Sequence, residues 1–172
     1  MTNTWTYSPT TGYWTITPGL AGCGTALPSN SGLAVAAFAT PPNPTGNGTA
    51  TLTMQGLGGY WKITPLQTGR VAIKITGQMV NGTTADGVKI QMAYGTGTAP
   101  ANAATVTGTV VGSALTWTAF TGLLAQGVPF HMYAIITGLT VGTAYWFDLQ
   151  LADVTGGTAS VLNLTAIAEE MW

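Results

Sequence analysis

The alternation of apolar and polar residues from position 50 onward most constrains how this chain folds. In residues 70–76, Val71, Ile73 and Ile75 alternate with smaller or charged side chains. A repeat of two residues is the pattern of a strand that buries one face. The same repeat returns in residues 88–94, and no segment combines a helical repeat with capping residues. The sequence therefore predicts an all-β fold.

The spacing of turn residues indicates how these strands are arranged. Asn81-Gly82, Asp86-Gly87 and the run 155–158 each supply residues that tolerate a tight turn. They separate about eight predicted strands at roughly the spacing that is typical of sandwiches and jelly rolls. Because several connections are long, we expect an antiparallel two-sheet jelly-roll sandwich with an N-terminal extended arm.

The arm is predicted from the composition of residues 1–48, which contain no charged residue and end in a stretch dense in proline and glycine. The remainder, 49–172, is the predicted jelly-roll domain. The candidate anchors by which an arm would attach to a partner are Trp5, Tyr7, Tyr13 and Trp14. In the alternative, strands at 13–17 and 33–39 pack on the main domain.

Few residues are charged, and this limits what kind of protein the chain is. Asp, Glu, Lys and Arg make up 5% of it, against about 25% in ordinary soluble proteins. Such a surface suits a subunit that is covered by copies of itself or by another protein, or else an extracellular β-protein with a threonine-rich face. The net charge of −1 argues against nucleic acid and membranes as partners. Without a signal-peptide pattern, folding inside the cell is expected.

No combination of residues points to catalysis, a cofactor or a metal. Cys23 and His131 lie far apart in the sequence and form no nucleophile–base pair. His131 on a threefold axis would bring three imidazoles together, but a histidine at an interface or in the core is the simpler interpretation. Asp148 and Asp153 are near enough in sequence for a pair of catalytic carboxylates, although Asp153 is expected to be a solvated hairpin residue. We therefore predict a protein that is not an enzyme.

The four cations of the chain form the first candidate site. Lys62, Arg70, Lys74 and Lys89 all fall on predicted outward faces of strands. They are either a docking face for an acidic partner surface or ordinary solvated side chains.

Apolar side chains on predicted outward faces form the second candidate site. They are Trp117, Tyr133, Ile135 and Trp146, with His131 beside them. A monomer rarely exposes such a patch, and aromatic residues are enriched at interfaces. The set therefore predicts either a subunit interface, with threefold symmetry expected, or burial beneath residues 1–48.

Three sequence segments within residues 41–168 allow a comparison with a known family. The runs GLGGYWKITPLQTGRVAIKITGQMVN, DGVKIQMAYGTGTAPANAATVTGTVVG and PFHMYAIITGLTVGTAYWFDLQLADVTGGTAS occur in this order. Together they resemble a module of tailed-bacteriophage virion structural proteins and their prophage relatives.

The resemblance implies a place in the virion more than a particular role. It implies a homotrimer that docks on the major capsid protein or on another virion protein, as a capsid decoration protein or head-fibre subunit assembled in the host cytoplasm. The alternative is a tail-fibre or baseplate tip that binds a glycan of the host surface, since jelly rolls also serve as lectins.

Overall fold

The computed structural model describes residues 4–8, 13–17, 35–118 and 127–171. The chain divides into two compact units, Met1–Leu33 and Ala34–Trp172. In the first unit, β1 (Thr4–Ser8) and β2 (Tyr13–Thr17) pair as antiparallel strands. The strand expected at 13–17 is thereby confirmed.

The second unit contains ten strands in its described residues, and one short 3₁₀ turn. The turn spans Leu57–Gly59. The strands are β3 (Ala36–Ala39), β4 (Thr53–Gln55), β5 (Lys62–Ile63), β6 (Val71–Asn81), β7 (Val88–Thr96), β8 (Asn102–Thr105), β9 (Thr109–Trp117), β10 (Val128–Ile136), β11 (Tyr145–Asp153) and β12 (Ala159–Glu170).

Two antiparallel sheets pack together, which confirms the predicted all-β sandwich. One sheet has the order β10-β6-β12-β3, and the other has β8-β4-β11-β7-β9, with β5 also paired to β11. If β5 and β8 are set aside, the remaining strands pair first with last, second with seventh, third with sixth and fourth with fifth. This is the order that results when one long antiparallel hairpin is wrapped into two sheets, which is the jelly roll.

The sandwich includes more of the chain, and more strands, than the sequence indicated. The strand count exceeds the expected eight because β5 and β8 are added to the second sheet. The second unit also begins before residue 49. β3 pairs with β12 in the first sheet, and Asn47 forms a further bridge with Ala159. Residues 36–39 therefore belong to the sandwich and not to an arm.

The core lies between the two sheets and follows the predicted alternation. In β6, Val71, Ile73 and Ile75 are fully buried, while Lys74 is exposed. The core is completed by inward side chains of the other long strands, among them Ile90, Met92, Phe130, Met132, Phe147, Leu149, Leu151, Val161, Ala166 and Ala168.

The strand β11 differs from the others because both of its faces are buried. All nine of its residues are inaccessible to solvent or nearly so. Its inward face contributes Phe147, Leu149 and Leu151 to the main core. On its outward face, Trp146 packs with Met54 and the half-buried Ala99 and Ala104. Residues of β8 and of the loop before it thus cover the outward face of β11 at Trp146.

The end of β12 is fixed by a carboxylate that closes the loop between β5 and β6. Oε1 of Glu170 accepts hydrogen bonds from the backbone N–H groups of Gln67, Thr68 and Gly69, at 2.8, 2.6 and 3.3 Å. Oε2 accepts the N–H of Leu66 at 2.8 Å. Burial disfavours the charge of this carboxylate, but the four N–H groups outweigh burial and lower its pKa below 4.5.

Replacing Glu170 with Gln is expected to destabilise the second unit by about 2 kcal/mol at neutral pH, since several buried N–H groups lose a charged acceptor. Because the folded pKa is depressed, this stabilisation is present above pH 4.5 and is lost as the pH falls through the folded value. Urea unfolding at several pH values measures both effects. The matched control is Glu169→Gln, which changes the neighbouring exposed carboxylate. Equal effects of the two substitutions would contradict this role of Glu170.

Candidate functional site

One side of the sandwich collects hydrophobic side chains that the core does not cover. β9 and β10 are edge strands of the two sheets, and a groove between them shows that they lie side by side. We call this the β9–β10 side and define it by Val110, Leu115, Trp117, His131, Tyr133 and Ile135. Five of these are among the ten large hydrophobic side chains that are exposed in the described residues.

The groove of the β9–β10 side has a volume of about 280 Å³. The buried Met92 and Met132 lie at its base, and Leu115, His131 and Tyr133 line its walls. Sites for small molecules usually measure about 300–1,000 Å³ and enclose most of the ligand. This open groove is smaller, and its size suits one side chain of a partner protein.

The local sequence explains why these side chains are exposed. In β10, Phe130, Met132 and Ile136 point into the core, so Tyr133 and Ile135 must point outward. In β9, the pairing with β7 shifts register at Gly112, whose carbonyl oxygen accepts a hydrogen bond from Gln91 Nε2 at 3.0 Å. Such a bulge interrupts a regular edge, which disfavours indiscriminate strand pairing there.

A second apolar patch lies on the outer face of the four-stranded sheet. The register aligns Phe38 of β3, Ile167 of β12, Lys74 of β6 and Tyr133 of β10 in one row across the sheet. Phe38 is 69% exposed and lies at the edge opposite β10. This sheet therefore has an exposed aromatic residue at each of its two edges.

The structure places three of the five predicted interface residues on one strand face, a fourth on the neighbouring edge strand and the fifth elsewhere. His131, Tyr133 and Ile135 share the outer face of β10, and Trp117 lies on β9. Trp146 is 5% exposed, and its indole N–H donates to the carbonyl oxygen of Thr96 at 3.1 Å. Gly95 and Gly108 lie so close to the indole that a Cβ atom there would clash. Trp146 is thus buried within its own unit, and assigning it to an exposed patch was wrong.

The four cations do not form one face. Lys74 projects from the outer face of the four-stranded sheet, and Arg70 immediately precedes the same strand. Lys62 and Lys89 belong to the other sheet, where they pair with Trp146 and Ala152, near opposite ends of β11. The predicted docking face is therefore divided between the two outer surfaces of the sandwich, because the chain crosses between the sheets after β5 and after β6.

The acids and the cations are nevertheless unequally buried. Asp86, Asp148, Asp153 and Glu170 are each at most 4% exposed. Glu169 is the exposed carboxylate of the chain, whereas Lys62, Arg70 and Lys74 are exposed and Lys89 is half-buried. The accessible surface is consequently more positive than the formal net charge of −1 suggests.

The candidate carboxylate pair is not a pair in the structure. Asp148 lies on the outward face of β11, and Asp153 has the inward parity at the end of the same strand. Asp148 accepts hydrogen bonds from the backbone N–H groups of Gly56, Leu57 and Leu149, at 3.0, 3.1 and 2.8 Å. Asp153 is 4% exposed, so the expectation of a solvated hairpin residue was wrong.

Other predicted residues fall outside what the structure describes. The backbones of Trp5, Tyr7, Tyr13 and Trp14 lie in β1 and β2, but their side chains are not among the described ones. Cys23 lies outside the described residues altogether. The role of the anchors therefore stays a prediction.

Within the β9–β10 side and the patch at Phe38, sequence reasoning missed three exposed hydrophobic side chains. Phe38, Val110 and Leu115 are 69%, 48% and 36% exposed. Parity alone could have placed Phe38 outward, since it alternates with the small residues Ala37 and Ala39. Parity could not have predicted the exposure of Leu115, since this residue has inward parity opposite Ile90. It is exposed because β9 lies at the edge of its sheet.

Within the described part of the chain, no three His, Cys, Asp or Glu side chains group closely enough to hold a metal ion by themselves. The same part contains no helix with the length and apolar character needed to cross a membrane.

Comparison with known proteins adds no assignment. No family model matches the chain, and a search of the curated proteins finds no match.

The carboxylate of Asp148 gives a test of the β11 environment. Burial raises its pKa to about 6, and its backbone hydrogen bonds oppose this only in part. Because the folded pKa lies above the unfolded value of 3.8, the proton stabilises the fold at low pH. This contribution is lost as the pH rises towards the folded pKa.

The stability of the wild type relative to Asp148→Asn is therefore expected to fall by about 2 kcal/mol between pH 4 and pH 7. Chemical unfolding of both proteins across this range measures the difference. A Glu169→Gln variant serves as the control, since its exposed carboxylate should leave the pH profile unchanged. A constant difference between wild type and Asp148→Asn would contradict a raised pKa.

Proposed function

We propose that this chain is a non-enzymatic structural subunit of a bacteriophage particle, which forms a homotrimer and docks on the capsid as a decoration protein or head-fibre subunit. The observation that carries the proposal is the exposed hydrophobic surface at the free edges of both sheets. A soluble monomer rarely exposes contiguous apolar patches of this kind. The resemblance of residues 41–168 supports the setting in a virion.

The positions of the two apolar patches favour a ring. The β9–β10 side and the patch at Phe38 lie at opposite edges of the four-stranded sheet. A contact between two different surfaces is heterologous, and it closes into a ring when the rotation between neighbours allows it. In the proposed trimer, Phe38 of each copy packs against the β9–β10 side of the next copy.

The proposed attachment to the particle involves the polar surface outside the two apolar patches. With four of five carboxylates buried, the exposed cations Lys62, Arg70 and Lys74 give this surface a positive character. Such a surface is attracted to an acidic partner, chiefly through the rate of association. The first unit, Met1–Leu33, with the candidate anchors Trp5, Tyr7, Tyr13 and Trp14, is the second proposed means of attachment.

The association is tested by light scattering on the purified protein. We expect three times the mass of one chain for the wild type. Tyr133→Lys and Phe38→Lys should each weaken the assembly by about 2 kcal/mol, or roughly thirtyfold, because each places a charge in the contact. The matched control is Val141→Lys. Val141 is 47% exposed but lies in the turn between β10 and β11, outside both patches.

A monomeric wild type, or a trimer that survives both substitutions, would contradict the proposed contact. The place in the particle is tested separately by imaging virions that contain the protein. Density at lattice positions of the head is expected. Density restricted to the tail would instead favour the fibre or baseplate tip that binds a glycan.

A further inference from the structure

Two buried carboxylates meet at the end of the sandwich where the turn after β6 and the turn after β11 come together. Asp86 precedes β7 by two residues, and Asp153 is the last residue of β11, paired with Val88. Asp86 is 3% exposed and Asp153 is 4% exposed. The carboxylate of Asp86 is hydrogen-bonded to Thr155, which follows Asp153 by two residues. The two carboxylates therefore lie at the same end of the sandwich, and both are buried.

One oxygen of Asp86 is fully used by the surrounding backbone and hydroxyl groups. Its Oδ1 accepts the N–H of Gly87 at 2.7 Å, the N–H of Thr155 at 2.8 Å and the hydroxyl of Thr155 at 2.9 Å. These bonds hold the carboxylate at a fixed angle across the two turns. Burial disfavours its charge, but the hydrogen bonds outweigh burial and lower its pKa.

The other oxygen of Asp86 has no such partner, and neither has one oxygen of Asp153. Asp86 Oδ2 and Asp153 Oδ1 are both buried, and no hydrogen-bond donor of the described chain reaches either atom. Oδ2 of Asp86 points towards the second turn, since a Cβ atom on Gly156 would lie 3.4 Å from it. The Gly156 amide contributes to the lowered pKa of Asp86, but it does not reach Oδ2 with hydrogen-bond geometry.

Buried acceptors of this kind are stabilised by a proton or by a positive group. A buried polar atom without a partner costs about 1–3 kcal/mol, and more where it is charged. Two like charges in one buried site add repulsion. The lysines and arginine of the described residues are located elsewhere: Lys89, the nearest in sequence, has outward parity on β7, whereas Asp153 has inward parity on β11. The described part of the chain therefore supplies no counter-charge at this end.

We propose that Asp86 Oδ2 and Asp153 Oδ1 are the carboxylate ligands of a calcium site that joins the β6–β7 and β11–β12 turns. The proposal is independent of the assembly and of the place in a virion.

The chemistry around the two carboxylates favours calcium over a transition metal. The neighbouring polar groups are the Asn81 amide, the Thr83 and Thr155 hydroxyls and the carbonyl oxygens of the two turns. The atoms among them that can coordinate a metal ion are all oxygens, since an amide nitrogen does not coordinate. The one histidine of the chain is on β10. Calcium takes six to eight oxygen ligands in flexible geometry and completes its shell with carbonyls and water. Magnesium requires a stricter octahedron.

The side chain of Asn81 links the two turns that would form the site. Its Nδ2 donates to the carbonyl oxygens of Gly87 at 3.0 Å and Gly156 at 3.2 Å, one in each turn. Its Oδ1 accepts the N–H of Thr83 at 2.9 Å. The two turns and the carboxylate of Asp86 are thus fixed by the chain before any ion binds, which reduces the entropy that binding must overcome.

The test is a titration of the full chain, freed of metal with a chelator, with calcium chloride. We expect half-saturation at about 10⁻⁴–10⁻³ M, and a melting temperature that rises by a few degrees at about 10 mM calcium. Sodium chloride of equal ionic strength should have no effect, and magnesium chloride a smaller one. A wild type without a calcium-dependent heat of binding or shift in melting temperature overturns the proposal. The absence of a calcium response would imply that the two carboxylates instead share a proton.

Asp153→Asn is the informative variant, because the backbone N–H of Asp153 is hydrogen-bonded to Thr49, whereas its Oδ1 has no partner in the described residues. It should fold and lose the response to calcium. Glu169→Gln, which alters an exposed carboxylate elsewhere, should respond as the wild type does. A calcium response of Asp153→Asn equal to that of the wild type also overturns the proposal. If Asp153→Asn fails to fold, the titration of the wild type alone still decides it.

Discussion

The strand β11 is buried on both faces along its whole length, and most features of the second unit depend on this. Its inward side chains fill the core, and its outward Trp146 requires a cover made by β8 and its loop. Asp148 in the same outward row binds the 3₁₀ turn after β4 through two backbone N–H groups. At its end, Asp153 contributes to the buried carboxylate pair. One strand thus fixes the position of β8 and its loop, the 3₁₀ turn after β4 and one side of the candidate ion site.

The few acidic and basic side chains of this chain differ in how deeply they are buried. Four of the five Asp and Glu side chains are buried, and among them Glu170 and Asp148 accept the N–H groups of loops that no strand pairing satisfies. Cations face outward, where long side chains reach solvent at little cost. Because backbone N–H groups replace lysine and arginine as partners of the acids, ion pairs are not needed inside, and the cations remain available on the surface.

The edges of the sheets explain where the exposed hydrophobic side chains lie. A central strand has neighbours on both sides, and the opposing sheet covers its inward face. An edge strand such as β9 is covered only in part, so Leu115 and Trp117 stay accessible although their parity is inward. Pairing with another copy would remove this surface from water, which is why the proposed assembly uses the edges of the sandwich.

The sequence by itself determined the strands and their buried faces, because a two-residue repeat reports which face is apolar wherever only one face is covered. It correctly placed Val71, Ile73 and Ile75 inside and Lys74 outside. It could not determine the burial of Trp146 and Asp153 or the sheet to which Lys62 belongs, since each of these depends on residues distant in the chain. Which strand lies at an edge, what covers the outward face of β11 and which sheet carries each cation follow from the crossings between the sheets. Local side-chain periodicity contains no information about those crossings, so only the tertiary structure decided them.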